Sequence, residues 1–217
     1  MSVLPPFQAP QRADEAVVRI PPLGLTPVNT GLLLAAASVL FDQATKELAA
    51  RTLIPNRQVD LLPDAVPFFG DGWGWQLIFN PGGALGFDPE RLTAGLGATF
   101  GGFLADWFFV LVTLLVTVIV ARNLPLARHV ETGAAYGLLL GGAWGNGLNR
   151  MLRPPGFPRG QVVDFLAIRV PEFFPIGPDL ARFNFADVAI LLGFAVLLRS
   201  LSRDLTADVP RTIVCYR

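Results

Sequence analysis

The sequence predicts a mainly α membrane protein: a bundle of four transmembrane helices, with a small β-sheet carried in the connections between them. Three observations lead there. Only 16% of the 217 residues are charged and 52% are apolar, before 22 glycines are added, whereas soluble domains run nearer ~25% charged. A soluble domain of this length lacks the interior to hide so much apolar surface, so lipid is the solvent for part of it. Four apolar segments punctuate the chain, and the two long connections between them hold short apolar runs broken by Pro, Gly and Asp, the pattern of strands and turns.

Residues 1–27 contain six of the 19 prolines and mixed charges. They read as a flexible extension, because no positive n-region leads directly into an apolar core with a small-residue cleavage site. The bundle is expected over residues 28–201, with a tail at 202–217. The first apolar segment runs from Thr30 to Ala50. Its apolar core, Gly31 to Phe41 and interrupted only by Ser38, is too short to span, so the helix must continue through Asp42 and Lys46. The second, Phe103 to Ala121, is rich in Val, Leu and Phe. The third, Thr132 to Leu148, carries Gly133, Gly137, Gly141 and Gly145, each four residues after the last. On a helix they form one stripe of small residues that lets a neighbour approach closely. The fourth, Phe185 to Leu198, is short and starts within protein. In the connections, Gln58-Val-Asp-Leu-Leu62, Trp75-Gln-Leu-Ile-Phe-Asn80 and Gln161 to Arg169 read as strands.

Four spans put both long connections on one side of the membrane, and both termini on the other. Positive charge does not choose between the sides. The termini and the short connection hold eight arginines; the long connections with their flanking helix ends hold eight arginines and Lys46. Formal net charge is zero, which argues against a nucleic-acid partner. One cysteine and one histidine leave no intrachain disulfide, no cysteine metal cluster and no zinc ligand set.

Ionisable groups at membrane depth are costly and mark paired or functional sites. Asp42 and Lys46 are four residues apart and meet on one helix face. Asn146, Asn149 and Arg150 cluster at the end of the third segment, where capping and snorkelling are the simplest roles. Asp164 interrupts the apolar run Val162-Val-Asp-Phe165; in an extended chain Val163 and Phe165 point away from it. Asn184 and Asp187 open the fourth segment as an N-cap and a first-turn carboxylate.

Elimination narrows the chemistry. A Ser-His-Asp triad needs His129, which a helix of roughly 25 Å separates from Asp164 and Asp187. Ser38 lies ~12 Å along the helix from Lys46, and Ser2, Ser200 and Ser202 sit near the ends. A pair of carboxylates at the membrane surface remains. Two aspartates held close cannot both ionise comfortably, so one keeps a proton for the scissile carbonyl while the other takes one from water.

Five stretches in order, Asp42-Gln-Ala-Thr-Lys46, Asn80-Pro-Gly-Gly-Ala-Leu-Gly-Phe87, Gly141 to Arg150, Val162-Val-Asp-Phe165 and Phe183-Asn-Phe-Ala-Asp187, resemble the motifs of the lipoprotein signal peptidases (signal peptidase II). The resemblance covers roughly residues 30–200. It implies a bacterial aspartyl endopeptidase of the cytoplasmic (inner) membrane, with both termini cytoplasmic and a small extracytoplasmic β-sheet cradle beside the site. Its substrates would be diacylglyceryl-modified prolipoproteins, cut just before the lipidated cysteine, with no metal or organic cofactor. It implies that Asp164 and Asp187 are the catalytic pair and that Asn146, Arg150 and Asn184 orient them. Asp42, Lys46, Asn80 and Gly82 would shape the pocket. The chain reads as a monomer in contact with membrane lipid. Two departures stand out: Asn149 where the family usually has aspartate, expected to weaken local pairing with Arg150, and Leu85 in place of a phenylalanine. Asn149 also motivates an alternative, a relative that binds lipidated peptides without cleaving them. A transporter would call for an inverted repeat, and none is visible. The run Arg153-Pro-Pro-Gly-Phe-Pro-Arg-Gly160 is longer than the family pattern leads one to expect.

Overall fold

The computed structural model describes residues 24–60, 73–83, 88–169 and 180–207. The first helix, α1, spans Pro27–Thr52; Thr26 caps it, its Oγ1 accepting from the Asn29 N–H at 3.1 Å, with Pro27 in the first turn. Strands β1 (Gln58–Asp60) and β2 (Trp73–Asn80) follow, then a short helix α2 (Pro89–Thr93). Helices α3 (Ala98–Asn123) and α4 (Val130–Leu152) come next, then β3 (Val162–Arg169), β4 (Leu180–Phe183) and α5 (Phe185–Ala207). Each of the four long helices covers one of the expected segments and overruns it at both ends, except that α5 starts at Phe185 as expected and overruns only at its far end. The strand at Gln161 to Arg169 is there as β3. Helix α2 and strand β4 are additions, although Asp88 with Pro89 behind it is a helix-start signal, and the Asp88 Oδ1 accepts from the Glu90 N–H at 2.9 Å. Leu61, Leu62, Leu85, Phe87, Cys215 and most of the expected N-terminal extension lie outside the described residues.

Helix α4 is the centre of the bundle. It packs on α1, on α5 and on α3, and the glycine stripe is the reason it can. A Cβ at Gly133 would fall on the carbonyl of Pro27, and one at Gly137 on the carbonyl of Gly31; at Gly141 it would meet Ser38 and at Gly145 the Asp42 carboxylate. The stripe therefore faces α1, backbone against backbone. Large apolar side chains point the other way, outward: Leu40 and Leu48 on α1, Leu115 and Val118 on α3, Leu191 and Leu198 on α5 are all about half exposed or more. Such an inside-out distribution suits a lipid surround rather than water. Two stretches, Thr99–Leu126 and Phe185–Arg203, are long and apolar enough to cross a membrane. Helices α1 and α4 carry their polar and glycine residues on the faces they bury, which lowers their apolarity without exposing it.

The four strands form one antiparallel sheet in the order β1-β2-β3-β4. Ile78 lies opposite Asp164, and Asn80, the last residue of β2, opposite Val162. Alternation along β3 sends Val163 and Phe165 to one side, where they join Leu77 and Ala49 of α1 in a small core. Phe165 stacks on Trp75 at 5.8 Å between ring centres and leans on Phe185 at 5.7 Å. Asp164 is thereby turned to the opposite side, toward α4 and α5.

Gly137→Ala should lower the unfolding temperature measured in detergent, because overpacking costs about 1–3 kcal/mol and the atom in the way is backbone. Gly102→Ala, at a site with open space around it, is the control and should leave the temperature unchanged or slightly raised.

Candidate active site

The start of α5 builds one half of the site. Asn184 is its N-cap and Asp187 stands three residues on, the spacing of a reciprocal capping box. The Asn184 N–H donates to Asp187 Oδ2 at 3.0 Å, and the Asp187 N–H donates to Asn184 Oδ1 at 3.2 Å. The remaining donor, Asn184 Nδ2, reaches across to Asp164 Oδ1 at 2.7 Å and to Asn146 Oδ1 at 3.1 Å. Asn184 thus touches both carboxylates at once. The other oxygen of Asp164 accepts from Asn80 Nδ2 at 2.8 Å, and the other oxygen of Asp187 accepts from Asn146 Nδ2 at 2.8 Å. Asp164 is 2% exposed. Burial first, and the Asp187 charge second, push its carboxyl up to about 6.

Helix α1 supplies the base of the site. Asp42 and Lys46 form an ion pair at 2.8 Å and are almost wholly buried. Asp42 Oδ1 also accepts from the Ala186 N–H at 2.9 Å, so one helix caps the start of another. Lys46 Nζ donates to Asn146 Oδ1 at 2.8 Å and to the Gly145 carbonyl at 3.1 Å. Asn146 is held from both sides in this way, with its amide turned to Asp187.

Arg150 supplies the roof. Its guanidinium donates to the carbonyls of Asn80 (3.1 Å), Pro81 (2.7 Å) and Gly160 (3.1 Å), and to that of Gly82, and lies 4.3 Å from the centre of the Phe109 ring. The Gly82 N–H donates to Asn80 Oδ1 at 2.8 Å. These bonds fold the end of β2 into a turn that aims the Asn80 amide at Asp164.

Nine of the ten residues singled out in the sequence line this site or support it directly. Gly82 does so through its backbone alone. Asn149 does neither: it faces away from the two carboxylates. Its Oδ1 accepts from the Val163 N–H at 3.1 Å and its Nδ2 donates to Gln43 Oε1 at 3.0 Å. The expected weakening of a 149–150 pairing does not arise, because the Nη1 and Nη2 groups of Arg150 donate to backbone carbonyls. Gln43 is a supporting residue the sequence reading passed over. It donates to the Gly145 carbonyl at 2.7 Å and to Asp42 at 3.1 Å. Its position inside Asp42-Gln-Ala-Thr-Lys46 was the available signal. Phe109, beneath Arg150, carried none, being one of several aromatics in an apolar helix.

A cavity of about 410 Å³ opens at the pair. Asn80, Gly82, Asn146, Arg150, Asp164 and Asp187 form its polar end, and Val116, Tyr136, Leu139, Ile190 and Phe194 line the rest, between α3, α4 and α5. Two carboxylates, fixed by amides and backed by a buried cation, can divide one proton between them beside an apolar chamber.

Residues 34–203 match the family model described as signal peptidase (SPase) II. The chain belongs to the signal peptidase II family. It is 31% identical over 210 residues to the lipoprotein signal peptidase of Leifsonia xyli subsp. xyli, covering 95% of this chain and 84% of that protein. It is 30% identical over 192 residues to the lipoprotein signal peptidase of Mycobacterium leprae, covering 87% and 77%. A bacterial membrane enzyme solved by the in meso method at 2.3 Å shares the fold, with a TM-score of 0.61 at 22% identity over 86% of this chain and 95% of that one. As a signal peptidase II, the chain is a protease.

Two outcomes follow from the geometry. Lys46→Met strands the buried Asp42 charge and should cost about 3–5 kcal/mol in unfolding measurements, with Asp42→Asn added to it recovering part of the loss. In Asp187→Asn, the titration of Asp164, followed by infrared spectroscopy, should move down from about 6, because a repelling charge is gone. It should stay above the ordinary aspartate range, because burial, the larger cause, persists.

Proposed function

We propose that Asp164 and Asp187 are the catalytic dyad with which this signal peptidase II removes signal peptides from prolipoproteins. One observation carries the reading: Asn184 hydrogen-bonds both carboxylates, from the cap of α5 on one side and across to β3 on the other. A water between the two acids is the nucleophile. Asp164, whose burial favours the neutral form, holds the proton and donates it to the scissile carbonyl oxygen. Asp187, fixed by Asn146 and the Asn184 N–H, takes a proton from the attacking water. In the resulting tetrahedral intermediate, Asp187 returns that proton to the leaving nitrogen as the C–N bond breaks. Asp164 recovers its own from the hydroxyl as the carbonyl reforms. Closure of the substrate over the site excludes water and strengthens both transfers.

The substrate is a precursor whose cysteine carries diacylglycerol, and the bond cut lies just before that cysteine. Acyl chains and an apolar signal peptide stay at membrane depth, and the apolar chamber that opens from the dyad supports that arrangement. All four long helices, α1, α3, α4 and α5, cross the inner membrane. The sheet and the dyad stand at the extracytoplasmic face, both termini are cytoplasmic, and the enzyme acts as a monomer surrounded by lipid. The outward apolar faces of α1, α3 and α5 support the spanning arrangement. Asn149 gives no ground for a non-cleaving relative, since it ties β3 to α1 and touches neither acid.

Asp164→Asn and Asp187→Asn should each cut the turnover of a purified diacylglyceryl precursor by about 10²–10⁴-fold or more, with unfolding temperatures near that of the parent. Cleavage retained by either variant would rule out the dyad.

A further inference from the structure

A second cavity, of about 470 Å³, shares the wall made by Asn80, Gly82, Phe109 and Arg150 with the first. The two differ in character. The chamber between the helices is apolar, whereas the second is charged: Asp88, Glu90, Asp106, Arg150 and Arg159 are among the residues that line it. One of its walls is the run Arg153 to Gly160, the stretch that is longer than the family pattern leads one to expect. That run is tied down at three points. Arg153 pairs with Glu47 of α1 at 3.1 Å, Arg159 pairs with Asp106 of α3 at 2.6 Å, and the Gly160 carbonyl accepts from Arg150 at 3.1 Å. Arg150, 4% exposed, stands where the cavities adjoin, and its Nε has no hydrogen-bond acceptor among the described residues.

A prolipoprotein changes character near the bond that is cut: the signal peptide before it is apolar and the cysteine just after it carries lipid, whereas the chain beyond that cysteine leads away from the membrane. Charged side chains do not enter an apolar chamber unpaired, so the residues after the cysteine need a different exit from the dyad. We propose that the charged cavity is the subsite for the first residues that follow the lipidated cysteine, and that the Asp106–Arg159 pair sets which charges it accepts. The assignment rests on the reading that the chain binds such precursors at Asp164 and Asp187. With the pair intact, Arg159 offsets Asp106, while Asp88 pairs with Arg91 of α2 at 3.4 Å. Removing Arg159 leaves the cavity more acidic, and removing Asp106 leaves it less so.

The test uses two diacylglyceryl precursors that differ only in the second and third residues after the cysteine, Asp-Asp in one and Lys-Lys in the other. Their dissociation constants are measured with the full-length protein carrying Asp164→Asn, and their kcat/KM with the protein that retains Asp164. Arg159→Gln should shift the acidic-to-basic ratio of both quantities by about fivefold against the acidic precursor, the size of an interaction between exposed charges. Asp106→Asn should shift it the other way, and Arg159→Lys, which keeps the charge, should leave it near the parent value. Ratios unmoved by Arg159→Gln and Asp106→Asn would overturn the subsite, whatever happened to overall rates. Charge-selective binding without any cleavage would uphold the subsite and overturn the dyad; cleavage without charge selectivity would do the reverse.

Discussion

The amide of Asn184 commits both its N–H donors and its oxygen to two acids and the residue that orients them. Its oxygen accepts from the backbone of Asp187, its nitrogen donates to Asp164 and Asn146, and its own backbone N–H closes the cap on Asp187. Like charges in a dry site repel, and a carboxylate without donors does not stay ionised there. Asn184 answers both demands. It gives each acid a donor, and it ties the start of α5 to the middle of β3, so neither acid can retreat from the other without breaking a hydrogen bond to Asn184.

The rest of the bundle keeps that joint dry and still. Asp42 caps α5 from a neighbouring helix and is neutralised by Lys46, so a buried cation lies behind the two acids, bonded to Asn146. The pair lies within the α1–α4 contact, which is close only because Gly133, Gly137 and Gly141 put backbone against backbone. Polar groups worth several kcal/mol when unsatisfied in lipid are thus gathered between α1, α4 and α5. The faces left for the surroundings are apolar.

Much of this was legible in the sequence because each signal was local. The capping box needs only the spacing of Asn184 and Asp187. The ion pair needs only the four residues between Asp42 and Lys46. The orientation of Asp164 follows from alternation along Val162-Val-Asp-Phe165, since the neighbours that belong to the core fix the face of the residue between them. What the sequence did not reveal depends on contacts far apart in the chain. Asn149 stands where the resemblance implies an aspartate paired with Arg150, yet consecutive helical residues point about 100° apart. Asn149 turns to β3 and Gln43, while Arg150 reaches carbonyls near residues 80 and 160. Strand β4 is four residues long and carries Arg182, too short to show a period of its own; pairing with β3 makes it a strand.

The two acids matter because they share one small space, and the most direct measurement is structural. A crystal structure of the protein with a peptide mimic whose scissile carbonyl is replaced by a tetrahedral hydroxyl would show where the reacting centre sits. The account predicts that hydroxyl within about 3 Å of a carboxyl oxygen of Asp164 and of one of Asp187 together. A hydroxyl bound by one acid alone, with the other turned away, would contradict it.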